Sequence, residues 1–210
     1  MKRKNPVVIF GSGGHAKVIL DILKESGEYI LGFLDENKER INKEILGYQV
    51  LGDWSYIKNK KLINIALGIG DNKKRYKLFK QVENHGLQVV NAIHPHSYIS
   101  SFVRLGKGIV IMPNAVVNPG VTINDGVIIN TGATVDHDCN LGKFSHVCPG
   151  VNLAGTVKIG EFSFIGVGSS IIQNIKIGKN VTIGAGASVI NDIRDNVTAV
   201  GVPAKVIKKL

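Results

Sequence analysis

The sequence predicts two units of different fold class: an α/β domain over residues 1–92, then an all-β parallel β-helix over residues 93–210. Three observations carry this. From Ile93 to Val189 every sixth residue is a large aliphatic one, 17 positions without a break. Two residues before most of them stands a small or β-branched residue, as at Ala115, Val121, Ala133, Cys139, Ser145, Val151 and Ser163. Ahead of residue 93 the pattern changes to short apolar runs that end in glycine or aspartate and alternate with helical spacing. A helix repeats every 3.6 residues and a flat strand every 2, so a period of six needs a chain that turns a corner after each short strand. One bulky and one small side chain per side fill the narrow prism that such a chain encloses.

Val7-Val8-Ile9-Phe10 is a continuous apolar run, as expected of a parallel strand buried on both faces. Gly11-Ser12-Gly13-Gly14-His15-Ala16-Lys17 follows, and then Val18, Ile19, Ile22 and Leu23 at helical spacing. Strand, glycine turn and helix in that order aim backbone N–H groups at a phosphate. A βα turn that binds nothing has the same order. A second strand, residues 29–34, ends in Asp35, where an acid commonly meets a ribose or base. A third, from Ile63, ends in Gly70-Asp71. The three strand tips are expected on one edge of a parallel sheet, the edge that holds ligands in such folds. The domain is half the size of a full doubly wound fold, which disfavours an NAD site. Lys73, Lys74 and Lys77 are expected on a solvated helix face, with Arg75 as the one side chain directed to a ligand.

In the repeat, Gly106, Gly142, Gly160, Gly166, Gly178 and Gly184 follow the bulky position and are expected at corners where a Cβ would bring strain. The most pointed departure from pure repetition is Asp136-His137-Asp138. A carboxylate beside an imidazole selects one tautomer and raises its basicity, as a general base near neutral pH requires. Gly155 lies 18 residues after His137, one full coil, so the two are expected to stack about 4.8 Å apart on one corner. A glycine N–H there suits a developing oxyanion. His146, half a coil from His137, is expected to face another way. His85, His94 and His96 are expected to be structural, and Cys139 and Cys148 to be reduced, packed thiols. No metal-ligand spacing is present.

Residues 93–210, on these motifs, resemble the left-handed β-helix of hexapeptide-repeat acyltransferases. With Gly-Ser-Gly-Gly-His-Ala-Lys and Phe-Leu-Asp added, nearly the whole chain resembles the nucleotide-sugar acetyltransferases, including the sialic-acid O-acetyltransferase-like group. The resemblance implies a Rossmann-like N-terminal domain that holds a nucleotide-linked sugar through Gly13, Gly14, His15, Asp35 and Gly70. It implies His137 as base, Asp138 as its partner, and acetyl-CoA along the helix groove near His146, Gly155, Val167 and Ala185. It also implies homotrimers with sites between subunits, which would put His146 at such a boundary. The expected reaction is direct acetyl transfer from acetyl-CoA to the 4-amino group of a UDP-linked amino-dideoxy sugar. O-acetylation of a sugar hydroxyl would use the same residues and stays open, as does a non-catalytic solenoid that binds a partner. The tail, Gly201-Val202-Pro203-Ala204-Lys205, resembles the family's ending and is expected to cap the solenoid, with Lys205 an outside candidate for a coenzyme phosphate.

The net charge is +10, and the basic excess is spread over both parts. With no basic patch interleaved with aromatics, nucleic acid is not an expected partner. Such a field does attract small polyanions, coenzyme A and nucleotide sugars among them. Lys2-Arg3-Lys4 looks like the start of a signal peptide, but the apolar run after it is too short, and no run approaches membrane-spanning length. The expectation is a cytoplasmic chain with no membrane insertion.

Overall fold

A computed structural model of the chain describes residues 5–57 and 63–209, and it divides into two compact units, Met1–Pro95 and His96–Leu210. The Lys2-Arg3-Lys4 segment lies outside the described residues.

The first unit runs β1 (Val7–Phe10), α1 (Gly14–Glu25), β2 (Ile30–Leu34), β3 (Glu44–Ile45), β4 (Tyr48–Gly52), β5 (Asn64–Leu67), α2 (Asn72–Asn84) and β6 (Gln88–Val89). The sheet order is β3-β4-β2-β1-β5-β6, parallel except where β3 and β4 form a hairpin. Phe10 pairs with Leu34 on one side and Leu67 on the other, so Gly11, Asp35 and Gly68 leave the sheet at one edge. α1 buries Ala16, Ile19, Leu20, Ile22 and Leu23 as one apolar stripe. α2 is capped by Asp71, whose carboxylate accepts from Lys74 N at 2.8 Å, and buries Leu78, Phe79, Val82 and Arg75. The β3–β4 hairpin turns on Leu46-Gly47, both with positive φ (50° and 81°). A primed turn of that kind normally shows Asn-Gly, and its absence hid the hairpin from the sequence.

In the second unit two-residue strands recur every six residues from Tyr98-Ile99 to Ser188-Val189. Up to Ser170-Ile171 each pairs in parallel with the strand 18 residues on, as in Thr134↔Asn152, Asn140↔Lys158 and His146↔Phe164. The result is a left-handed β-helix with three strands per coil. Ile111, Val117, Val135, Leu141, Val147, Ile165, Ile183 and Val189 are fully buried in it, each worth roughly 1.5–3 kcal/mol. The burial rule fails at Leu105, 41% exposed. Its strand ends its sheet and has a neighbour, Thr122-Ile123, on one side only.

The corner glycines bear out the expected strain, through contact rather than through φ. Those after the bulky position keep ordinary φ, but a Cβ on them would strike the next coil. On Gly160 it would lie 2.4 Å from Gly178, and on Gly166 2.5 Å from the Ile183 carbonyl. The left-handed positions come two residues later. Fourteen of them, from Gly108 to Gly186, recur at a period of six. Seven are glycine and three asparagine; Asp138, Phe144, Thr156 and Phe162 complete the set. These are the third residues of tight turns that require φ > 0.

At the C-terminal end Val197–Val200 continues one sheet from Thr182-Ile183, and Lys205–Lys209 returns antiparallel to it. Lys205, Lys208 and Lys209 are exposed on that last strand and make a charged edge that resists further pairing. Among the described residues no helix is long and apolar enough to cross a membrane.

Candidate active site

The first unit holds a cleft of about 630 Å³ at the strand-tip edge. Gly13, Gly14, His15, Asp35 and Gly70 all line it, together with Phe10, Ile69, Leu78 and Gln81. A Cβ on Gly13 or Gly14 would meet nothing, so packing does not demand glycine at either. At Gly11 and Gly68 it does, because a Cβ there would lie 2.8 Å and 2.7 Å from backbone oxygens. α1 has no side-chain cap and no acid in its first turn. Its N-terminal N–H groups and the positive end of its dipole are therefore open to an anion.

Asp35 ties two loops together. Its Oδ2 accepts from Ser12 N at 3.0 Å and from the Ser12 hydroxyl, and its Oδ1 accepts from Asn37 N at 2.9 Å. Arg40 Nη1 donates to Ser12 Oγ at 3.2 Å. His15 is held neutral at pH 7, its pKa lowered to about 4 by burial and then by the Arg75 charge. Its Nε2 is buried with no hydrogen bond among the described residues, and its ring faces Gly70.

Two expectations for α2 reverse. Arg75 is wholly buried and donates to Gly70 O at 2.7 Å, Ile69 O at 3.3 Å and Asn72 Oδ1 at 2.9 Å. Burial lowers its pKa to about 9, which leaves it a cation that holds the loop after β5 in place. Lys74 and Lys77 are the side chains that line the cleft. The other side of the Gly13-Gly14 turn opens on a second cleft of about 490 Å³, with Lys17, Arg40, Lys43 and Glu44 in its lining.

In the β-helix, His137 and Asp138 are the middle residues of a corner turn, and Asp138 has φ 58°. That backbone brings its Oδ2 to 2.9 Å from His137 Nδ1. With Nδ1–H donated to the carboxylate, Nε2 is left as the proton acceptor. The Asp138 hydrogen bond is the main cause that raises the His137 pKa above its ordinary 6.5, and the charges of Asp136 and Asp138 add to it. Asp136 accepts from His137 N and from Asn118 Nδ2, both at 2.8 Å, and its pKa is lowered, first by Asn118. Asn118 precedes Asp136 by one coil, and the sequence reading passed over it.

The imidazole leans along the helix axis onto Gly155. A Cβ on Gly155 would lie 2.5 Å from His137 Nε2. The Gly155 N–H makes no hydrogen bond among the described residues, while its carbonyl accepts from Asn174 N at 3.1 Å. The ring and that peptide are thus immediate neighbours on an exposed corner.

His146 is not brought to His137. It lies on a strand of another face, 8% exposed, with Nε2 3.1 Å from Asn130 Nδ2 and its ring edge-on to Phe164 at 5.2 Å. Val167 and Ala185, both exposed, stack at a third position, the corner that precedes the Ser170-Ile171 and Ser188-Val189 strands. The His137–Gly155 corner follows that same face. Between the two corners lies a groove of about 530 Å³ that includes Asn118, Asp136, Asn152, Ala154, Ser170 and Ile172. Both cysteines are buried, and burial pushes the Cys139 thiol up to about 11 and the Cys148 thiol to about 12. Neither is a thiolate at neutral pH, so neither is an activated nucleophile.

Comparison with known proteins covers both units. Residues 6–82 match the family described as the PglD N-terminal domain, and residues 102–137 and 156–191 match the bacterial transferase hexapeptide (six repeats). The chain is 28% identical over 158 residues to GDP-perosamine N-acetyltransferase of Escherichia coli O157:H7, a span of 71% of this chain and 70% of that protein. Among solved structures it resembles PerB from Caulobacter crescentus in complex with CoA and GDP-perosamine, at 42% identity and TM-score 0.92 over 97% of each chain. It also resembles the acetyltransferase domain of PglB from Neisseria gonorrhoeae FA1090 in complex with acetyl coenzyme A, at 37% identity and TM-score 0.91, over 97% of this chain and 100% of that one.

Proposed function

This chain belongs to the hexapeptide-repeat nucleotide-sugar acetyltransferases, and from that premise we propose that His137 is the general base with which it N-acetylates a nucleotide-linked amino sugar. The enzyme class is an acetyl-CoA-dependent acetyltransferase with a sugar acceptor, and acetyl-CoA is its cosubstrate.

One observation carries the catalytic assignment: the His137 ring, oriented by Asp138, rests on the backbone of Gly155. Amide formation needs an acceptor for the amine proton and a donor for the thioester oxygen. The attacking amine arrives uncharged, since an ammonium has no lone pair. His137 Nε2 accepts its proton as the N–C bond forms, and Asp138 stabilises the resulting imidazolium. The Gly155 N–H donates to the carbonyl oxygen while it carries negative charge. As the C–S bond breaks, the proton passes from Nε2 to the departing sulfur. Both thiols of the chain stay protonated, which favours this direct transfer over an acetyl-cysteine route.

Acetyl-CoA would lie in the groove between the His137–Gly155 corner and the Val167–Ala185 corner, held mainly by backbone groups; His146, on another face, would reach it only across a boundary between subunits. Gly13, Gly14, His15, Asp35 and Gly70 would hold the nucleotide in the first cleft. The sugar is a 4-amino-dideoxy hexose. The sequence reading favours a UDP carrier, whereas two of the relatives act on or bind GDP-perosamine, so the guanosine form stands as the alternative to test beside it. A homotrimer is part of the same reading; Ile172 and Ile190, 40% and 43% exposed on the face that carries the groove, give it an apolar contact.

The test is release of free CoA thiol from acetyl-CoA with GDP-perosamine, UDP-4-amino-4,6-dideoxy sugars, the corresponding free amino sugars and sialic acid. Release with a nucleotide amino sugar and a product heavier by one acetyl on nitrogen supports the reading. Release only with sialic acid would replace it with O-acetylation.

A further inference from the structure

We infer that the second cleft of the N-terminal unit, lined by Lys17, Arg40 and Lys43, holds the terminal, sugar-bearing phosphate of the nucleotide, so that the diphosphate crosses the Gly13-Gly14 turn from one cleft to the other. This deepens the nucleotide-sugar reading and rests on it.

The two clefts share Ser12, Gly13 and Gly14 and differ in chemistry on either side. The first offers Phe10, Ile69 and Leu78 as apolar surfaces for a flat base and a ribose, with Gln81 and Glu36 to hydrogen-bond them. Its charges do not suit a phosphate. Lys74 and Lys77 stand against Asp35, Glu36 and Asp71, a formal balance of −1. The second cleft sets Lys17, Arg40 and Lys43 against Glu44 alone, a formal balance of +2. Its apolar lining is confined to Ile45 and Leu46 of the β3–β4 hairpin, too little to cover a base. A nucleoside end and a phosphate end therefore sort into different clefts.

The junction is already built. Arg40 Nη1 reaches Ser12 Oγ at 3.2 Å, which holds the guanidinium beside the turn. A guanidinium presents paired donors in a plane and suits a phosphate better than a point charge does. The uncapped N-terminus of α1 opens on both clefts, so a diphosphate laid over Gly13 and Gly14 meets N–H groups at its middle and cations at its far end. The direction of the substrate follows: the sugar leaves past the β3–β4 hairpin, not past α2.

The experiment is calorimetric titration of the full chain with GDP, GMP, UDP and UMP. For the nucleotide that binds, Arg40→Gln with Lys43→Gln should weaken the diphosphate by roughly tenfold to a hundredfold and the monophosphate by no more than about twofold. Lys74→Gln with Lys77→Gln should weaken both by the same factor. All four side chains are exposed, so melting temperatures should match the wild type, and Lys43→Gln alone should show a smaller shift of the same kind. A double variant that keeps the wild-type preference for diphosphate, or that loses both ligands equally, overturns this inference and leaves the nucleotide reading intact. Wild-type protein that binds none of the four overturns both.

Discussion

A methyl group at residue 155 would occupy space now filled by the His137 ring, 2.5 Å from Nε2. Gly155 has ordinary φ, so alanine suits its backbone, and only the imidazole has to move. Gly155→Ala should therefore lower kcat about a hundredfold or more while the melting temperature stays within about a degree, because a 1 Å misplacement of a catalytic group is that costly. Asp138 raises the His137 pKa above 6.5, chiefly through its hydrogen bond. A base must be unprotonated, so activity rises with pH through that value, and the acidic limb of kcat/KM should lie above pH 6.5. Asp138→Asn removes the raising interaction, so the limb should move to lower pH as the plateau falls; a limb that stays in place would show that another group is titrating. The stacking of His137 on Gly155 was legible in the sequence because a coil is 18 residues and the prism repeats. Asn118, which lies the same 18 residues from Asp136, was legible by the same rule but carries no chemistry of its own to draw attention.

The elements show where a pattern misleads. The sixfold series of bulky residues located every two-residue strand of the β-helix, and the strain expected of the glycines beside it is there, but it has two separate causes. Those after the bulky residue answer to the next coil, whose atoms an added Cβ would approach to 2.1–2.7 Å, whereas those two residues further on answer to φ. Gly132 isolates the second cause, with φ 64° and nothing within 4 Å of a Cβ. Gly132→Ala should cost about 1–2 kcal/mol of stability, the usual penalty for an L-residue in that conformation, measured by denaturant unfolding of the isolated substitution. In α2, Arg75 falls on the stripe with Leu78, Phe79 and Val82, so helical spacing placed it inside. Its charge argued for a ligand and hid that placement. A guanidinium enters the interior here because three oxygens of the chain, two of them carbonyls of the loop after β5, meet it there.

At the scale of the whole molecule, one unit offers an uncapped helix N-terminus in a cleft and the other an Asp-oriented histidine on a repeating scaffold, and the proposed reaction needs both. The proposed trimer belongs to this level. Light scattering should give a mass of three times the 22.6 kDa chain, and Ile172→Glu with Ile190→Glu should shift it to the single-chain mass if that face is the contact. Neither partner copies nor the nucleotide base can be read from periodicity, because both depend on surfaces that no repeat constrains. The most direct measurement is turnover of acetyl-CoA with its accepted nucleotide amino sugar by wild type and His137→Ala, with melting temperature recorded for each. His137 is 56% exposed, so its removal should leave stability unchanged and lower kcat by about a hundredfold to ten-thousandfold. A His137→Ala protein that turns over within about twofold of wild type would contradict the account, since the proton would then be leaving by another route.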